Sequence, residues 1–241
     1  LTVAANQDMP YEFTFDLAAS DIVYGETALS SGDALMLSGR GTLAHNTAEA
    51  QGAFLEAKFN NYNYLRLDNW SLSKEPAAIA TQLTGIIDLA TVSPLFGSDE
   101  WWGELTIEAP ITTDIAGHTH IPLVMTTDAL GYGDLSTPYG ETLELDGNFD
   151  LDPKSQSLTA DVVRITLGDG TRLELNELNA QSSSETDSSS IAIATANFST
   201  DLRPLVAKGY LLEAQGIATL AAADLLYSTT NGLEGQICFT L

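Results

Sequence analysis

Polar and apolar residues alternate along most of this chain with a period of two, the signature of half-buried β-strands. In residues 11–17, Phe13, Phe15 and Leu17 share one face. The alternation continues through Leu35, Leu37 and Gly39 to Leu43, and returns over residues 53–59, 64–72 and 102–109. Turn signals separate these runs. Residues 21–31 form a turn-rich connection, His45-Asn46-Thr47 and Asn60-Asn61 read as hairpin turns, and the second half offers Pro153-Lys154-Ser155 and Gly168-Asp169-Gly170. Proline is excluded from central strands, and Asp-Gly between two alternating runs marks a hairpin. Residues 86–96 lack strict alternation, and Ile87, Ala90, Val92 and Leu95 predict a short amphipathic helix or turn, limited by Pro94. Residues 217–227, rich in alanine, predict a better helix.

One phrase occurs twice. Gly32-Asp33-Ala34-Leu35-Met36-Leu37-Ser38-Gly39 is echoed by Gly140-Glu141-Thr142-Leu143-Glu144-Leu145-Asp146-Gly147, an offset of 108. Without a gap, residues 13–72 share nine identities with the stretch 108 positions later, and these fall on Gly, Leu and Tyr. Further on, Gly85-Ile86 resembles Gly216-Ile217, and Gly103-Glu104-Leu105-Thr106-Ile107 resembles the closing Gly235-Gln236-Ile237-Cys238-Phe239. Such self-similarity is the mark of a repeat architecture. The expected organisation is a β repeat unit over residues 1–108 and a second over 109–241, with 110–113 as the junction. The second carries a Ser-rich insertion near 181–203, where residues 182–190 cannot bury apolar area. The expected fold is mainly β: two tandem antiparallel β units, each with a short helix, forming a curved sheet, a sandwich or a trough.

Charge narrows the partners. Lys and Arg number 9 against 33 Asp and Glu, a formal net charge of −24. Phosphate backbones need clustered Lys and Arg, so nucleic-acid binding is excluded as a function class. Cys238 is alone, which rules out an intrachain disulfide. No apolar run reaches the roughly 18 residues of a membrane span. Leu1 is not a start methionine, which leaves room for a removed anchor or signal.

Candidate chemistry is sparse. No Gly-x-Ser-x-Gly elbow and no Gly-rich phosphate loop occurs. His118-Thr119-His120 places two imidazoles on one strand face, a weak candidate for zinc or copper with Glu104 or Glu108 as third ligand. Asp146, Asp150 and Asp152 share a strand face but do not follow a calcium-loop pattern. The aromatic residues Tyr62, Tyr64, Trp70, Trp101 and Trp102 are the candidate ligand-binding set, since aromatic faces stack on sugars and apolar ligands. Trp70 matches Leu178 in the second copy, which argues for a core role. No catalytic residue and no cofactor is expected.

The repeated form G-[DE]-x-L-x-L-x-G, followed by L-x-L and G-I-x-x-L-A, resembles bacterial envelope proteins of the AsmA-like and YdgA-like type. It rests on Gly32, Leu35, Leu37, Gly39, Leu65, Leu67 and Gly85 with their second-copy partners. The resemblance implies a non-enzymatic protein of the periplasm or cell exterior, anchored to the inner membrane in its full-length form. It implies binding of a lipid or another apolar ligand, or scaffolding of an envelope protein partner. The alternative is an extracellular carbohydrate-binding or adhesive β module, motivated by the aromatics and the acidic surface.

Overall fold

The computed structural model of the chain describes residues 2–4, 10–20, 23–24, 27–28, 34–44, 49–59, 62–74, 77–93, 100–114, 116–137, 141–168, 170–183, 188–203, 216–228 and 232–240. The expected turns at 45–47 and 60–61 fall outside them. Two compact units emerge: one comprises Leu1–Ile121 with Met125–Tyr139, the other Pro122–Val124 with Gly140–Leu241. The residues expected as the junction, 110–113, form the end of a continuous strand.

In the first unit the strands are β1 (Thr2–Ala4), β2 (Tyr11–Ser20), β3 (Val23–Tyr24), β4 (Thr27–Ala28), β5 (Ala34–Leu43), β6 (Ala50–Phe59), β7 (Asn63–Lys74) and β8 (Ala77–Asp88). The helical turn α1 (Leu89–Val92) follows, then β9 (Trp101–Thr113), β10 (Thr119–Thr127), β11 (Leu130–Tyr132) and β12 (Leu135–Ser136). The sheet order is β1-β2-β5-β6-β7-β8-β9-β10, with β3–β4 and β11–β12 as small side hairpins. In the second unit β13 (Leu143–Asp152), β14 (Ser157–Leu167), β15 (Thr171–Ser183), β16 (Ser188–Asp201), β17 (Ile217–Ser228) and β18 (Gly232–Thr240) lie in sequence order. Every ladder with a defined register is antiparallel. The protein is mainly β, as the alternation predicts.

The helix expectations fare differently. Residues 86–96 contain α1, only four residues long. Asp88 ends β8 and caps the turn: its Oδ1 accepts from Ala90 N at 3.2 Å and its Oδ2 from Thr91 Oγ1 at 2.5 Å. Residues 217–227 are not a helix but lie in β17, paired with β16 from Asp201↔Ile217 to Ser190↔Ser228. Alanine's helix propensity is worth tenths of a kcal/mol per residue and yields to a continuous ladder.

Several strand pairings recur at an offset of 108 positions. Leu35↔Phe59 in β5–β6 recurs as Leu143↔Leu167 in β13–β14, each position raised by 108. Both ladders slip by one residue and resume at equivalent pairs, Gly41↔Gly52 and Phe149↔Ala160; the break follows Arg40↔Phe54 in one and, one pair earlier, Gly147↔Val163 in the other. On the next strand Asn69 (φ 49°) and Glu177 (φ 55°), again 108 apart, take the same left-handed backbone, one that non-glycine residues seldom adopt. Within the first unit, the side hairpin Val23↔Ala28, Tyr24↔Thr27 has a counterpart at the same offset in Gly131↔Ser136, Tyr132↔Leu135.

Register also sorts the side chains. In the first unit, Phe13 and Phe15 of β2, Leu35, Leu37, Gly39 and Gly41 of β5, Leu55 and Ala57 of β6, and Leu65, Leu67 and Trp70 of β7 share one apolar face. The opposite face carries charge: Arg66 pairs with Asp68 (2.8 Å) and Glu56 (3.5 Å) and lies 4.7 Å from the Phe54 ring centroid. The cross-strand pair Glu56↔Arg66 recurs 108 positions on as Arg164↔Glu174. The signs are reversed while attraction is kept, and the Arg164–Glu174 separation is 3.5 Å.

Candidate functional site

The apolar face of each unit is where the pattern concentrates, and it is incompletely covered. Among the described residues the buried apolar side chains are Trp70, Val163 and the alanines Ala109, Ala160, Ala196, Ala218 and Ala222. No large side chain among the described residues is wholly buried. Leu17 is 60% exposed, Leu37 37% and Leu65 41%, although Leu37 and Leu65 flank Ala57 in the middle of the sheet. In the second unit Ile191 and Tyr227, a cross-strand pair, are 41% and 45% exposed. A two-layer fold would seal such a face.

Trp70 is the best-packed large residue of the first unit. It is 5% exposed and its ring lies 6.0 Å from that of Phe13, which in turn stacks on Phe15 at 6.3 Å. The indole covers two glycines: a Cβ on Gly41 would stand 2.7 Å from Trp70 Cζ2, and one on Gly52 2.5 Å from Cε2. In the second unit the same three register positions hold Phe149, Ala160 and Leu178. One large ring over two glycines is thus exchanged for three medium or small side chains, a redistribution of volume that a packed face tolerates. Trp70 Nε1 is buried without a hydrogen-bond partner.

The aromatic candidates do not converge. Tyr62 lies in a turn, 71% exposed. Tyr64 pairs with Lys58 and sits on the charged face, opposite to Trp70. Trp101 and Trp102, adjacent on a strand, point to opposite sides. Trp101 meets Tyr132 edge to face at 5.0 Å, whereas Trp102 covers Gly131 and donates from Nε1 to Gly133 O at 3.2 Å. Tyr132 completes this cluster through the pairing Tyr132↔Trp101. In the sequence, Tyr132-Gly133 matches Tyr24-Gly25 at the offset of 108.

The histidines flank a residue that spacing did not suggest. His118 Nδ1 and His120 Nε2 lie 3.7 and 3.9 Å from Oδ2 of Asp114. Asp114 Oδ1 accepts from the backbone N–H groups of His118 (3.0 Å) and Ala116 (2.8 Å), so it closes the β9–β10 hairpin. These hydrogen bonds, His118's foremost, hold the Asp114 carboxyl below the usual range. Among the described residues, no group of three or more His, Cys, Asp and Glu side chains has the spacing to hold a metal ion. Asp146 is paired with Arg164 at 3.5 Å, and Asp152 caps the turn at Lys154 and Ser155.

A shallow cavity of about 510 Å³ lies on the charged face of the first unit, at the break in the β5–β6 ladder. Glu12, Thr14, Arg40, Thr42, Gln51, Ala53, Asn69 and Ser71 line it, and the intervening Phe13, Gly41, Gly52 and Trp70 lie between them along the strands. No protein family, curated protein or solved structure matches the chain. No helix among the described residues is long and apolar enough to cross a membrane.

Proposed function

We propose that this is a non-enzymatic, tandem-repeat β protein of the bacterial cell envelope, of the AsmA-like kind, whose apolar sheet face holds a lipid or another apolar ligand. The supporting observation is the incompletely covered face, with Leu17, Leu37 and Leu65 all more than a third exposed. Removing apolar surface from water is worth about 25 cal/mol per Å², or about 0.8 kcal/mol per methylene. A chain of about a dozen methylenes therefore gains on the order of 10 kcal/mol gross, before the cost of association. The common register of β5–β6–β7 and β13–β14–β15 supports descent of both units from one duplicated unit. In this reading the acidic opposite face keeps the protein soluble, and its site of action is the periplasm or the cell exterior.

The test is titration with laurate, followed by NMR. Leu37→Asp, on the apolar face, is expected to abolish binding, and Met36→Asp, on the other face, to preserve it. Equal binding by both variants, or none by the wild type, refutes the assignment to this face. The second reading, a carbohydrate-binding or adhesive module, is favoured by the partly exposed Trp101–Tyr132 pair. Quenching of tryptophan fluorescence by a neutral oligosaccharide, lost in Trp101→Ala, would select it.

A further inference from the structure

We propose that the cavity at the β5–β6 bulge binds a carboxylate-bearing sugar, a uronic acid unit, with Arg40 as the carboxylate ligand. This site lies on the face opposite to the apolar one and stands independently of the lipid reading. The first observation concerns charge. The chain has 33 acidic residues for 9 basic ones, so a cation finds partners readily. Lys58, Arg66, Arg164, Arg172 and Arg203 are all in ion pairs. The Arg40 side chain has neither an ion-pair nor a hydrogen-bond partner among the described residues. Its cross-strand neighbours are the uncharged Thr14 and Phe54.

The second observation is the cavity itself. Gln51 and Asn69 bring amides to it, Thr14, Thr42 and Ser71 bring hydroxyls, and Glu12 brings a carboxylate that can accept from a sugar hydroxyl, opposite Thr42 rather than Arg40. Amides and hydroxyls both donate and accept, which matches the ring hydroxyls of a sugar. A guanidinium fork matches a carboxylate through two parallel hydrogen bonds. The volume, about 510 Å³, falls in the range of small-molecule sites.

The third observation separates site from scaffold. The second unit repeats the ladder break and the left-handed residue, yet holds Asn148, Asp161 and Glu177 where the first has Arg40, Ala53 and Asn69. The bulge therefore does not demand an arginine, and the cationic version belongs to the first unit alone. The net charge of −24 repels an anion at long range. At physiological ionic strength that field is screened beyond about 8 Å, whereas the guanidinium acts in contact.

The experiment is calorimetric titration of the whole chain with tri-galacturonate and, separately, with neutral maltotriose. Tri-galacturonate is expected to bind, and maltotriose at least about 10-fold more weakly, as suits the loss of a charged hydrogen-bonding partner. Arg40→Gln should weaken tri-galacturonate about 10-fold or more with unchanged circular dichroism. Arg40→Lys, which keeps the charge but not the fork, should fall between. Arg203→Gln, at a surface pair outside the cavity, should change nothing. Equal affinity for both sugars, an unaltered Arg40→Gln affinity, or no saturable binding of tri-galacturonate each overturns the proposal.

Discussion

Trp70 and Gly52 form a cross-strand pair whose counterpart in the second unit is Leu178 and Ala160, so substituting the second pair for the first tests whether the faces are packed equivalently. Trp70→Leu removes much of a ring that is 5% exposed. Full truncation of a buried tryptophan costs about 3–5 kcal/mol, and leucine restores part of that, leaving about 2 kcal/mol. Gly52→Ala places a Cβ 2.5 Å from the indole Cε2 and still closer to Arg40 O. Overpacking of this kind costs about 1–3 kcal/mol. In the double variant the contact with Arg40 O remains, but the clash with the indole is gone and the new methyl fills part of its space. The combined loss should fall short of the sum by about 1 kcal/mol or more, since contacting residues couple by about 0.5–3 kcal/mol. The assay is urea unfolding followed by far-ultraviolet circular dichroism, which does not depend on the tryptophan removed. Additivity within about 0.5 kcal/mol would refute the reasoning.

Other consequences are simpler. Asn63, 4% exposed, accepts from the Asp88 backbone N–H at 2.6 Å; Asn63→Ala should cost about 1–3 kcal/mol and abolish hydrogen-exchange protection at Asp88, and retained protection would contradict this. Arg66→Met keeps an aliphatic side chain beside Phe54 but loses the guanidinium over its ring and the partly exposed ion pairs, so a loss of unfolding free energy above about 2 kcal/mol would be unexpected. Asp114 has a folded-state carboxyl pKa below its unfolded value, so its contribution is present above about pH 3.9 and lost as pH falls through the folded value. Asp114→Asn keeps the turn's acceptor but not the charge, and should flatten the decline of the urea midpoint below about pH 4; an unchanged acid limb would remove Asp114 from the explanation.

The strands were legible because alternation is local. Phe13, Phe15 and Leu17 declare a face without reference to any other strand. The duplicated Gly-x-x-Leu-x-Leu-x-Gly phrase was legible because Gly39 and Gly147 sit where large neighbours approach: a Cβ would meet Leu55 and Phe15 in one copy and Phe149 in the other. What misled was the alanine-rich stretch 217–227, since nothing local announces that β16 pairs along its whole length. The site residues were harder. Tyr64 and Trp70 are six positions apart, which an unbroken strand would put on one face. The bulge at Asn69 shifts the register between Asp68 and Ser71 and separates them. Asp114 reaches His118 and His120 through a turn, a partnership that strand spacing does not encode.

The central claim is that the apolar face holds an apolar ligand, and native mass spectrometry of protein purified without detergent, followed by organic extraction, addresses it most directly. The account expects a mass increment released by extraction as a lipid or fatty acid and regained on incubation with one. An unliganded mass that stays unchanged after incubation with phospholipid and fatty acid would contradict it.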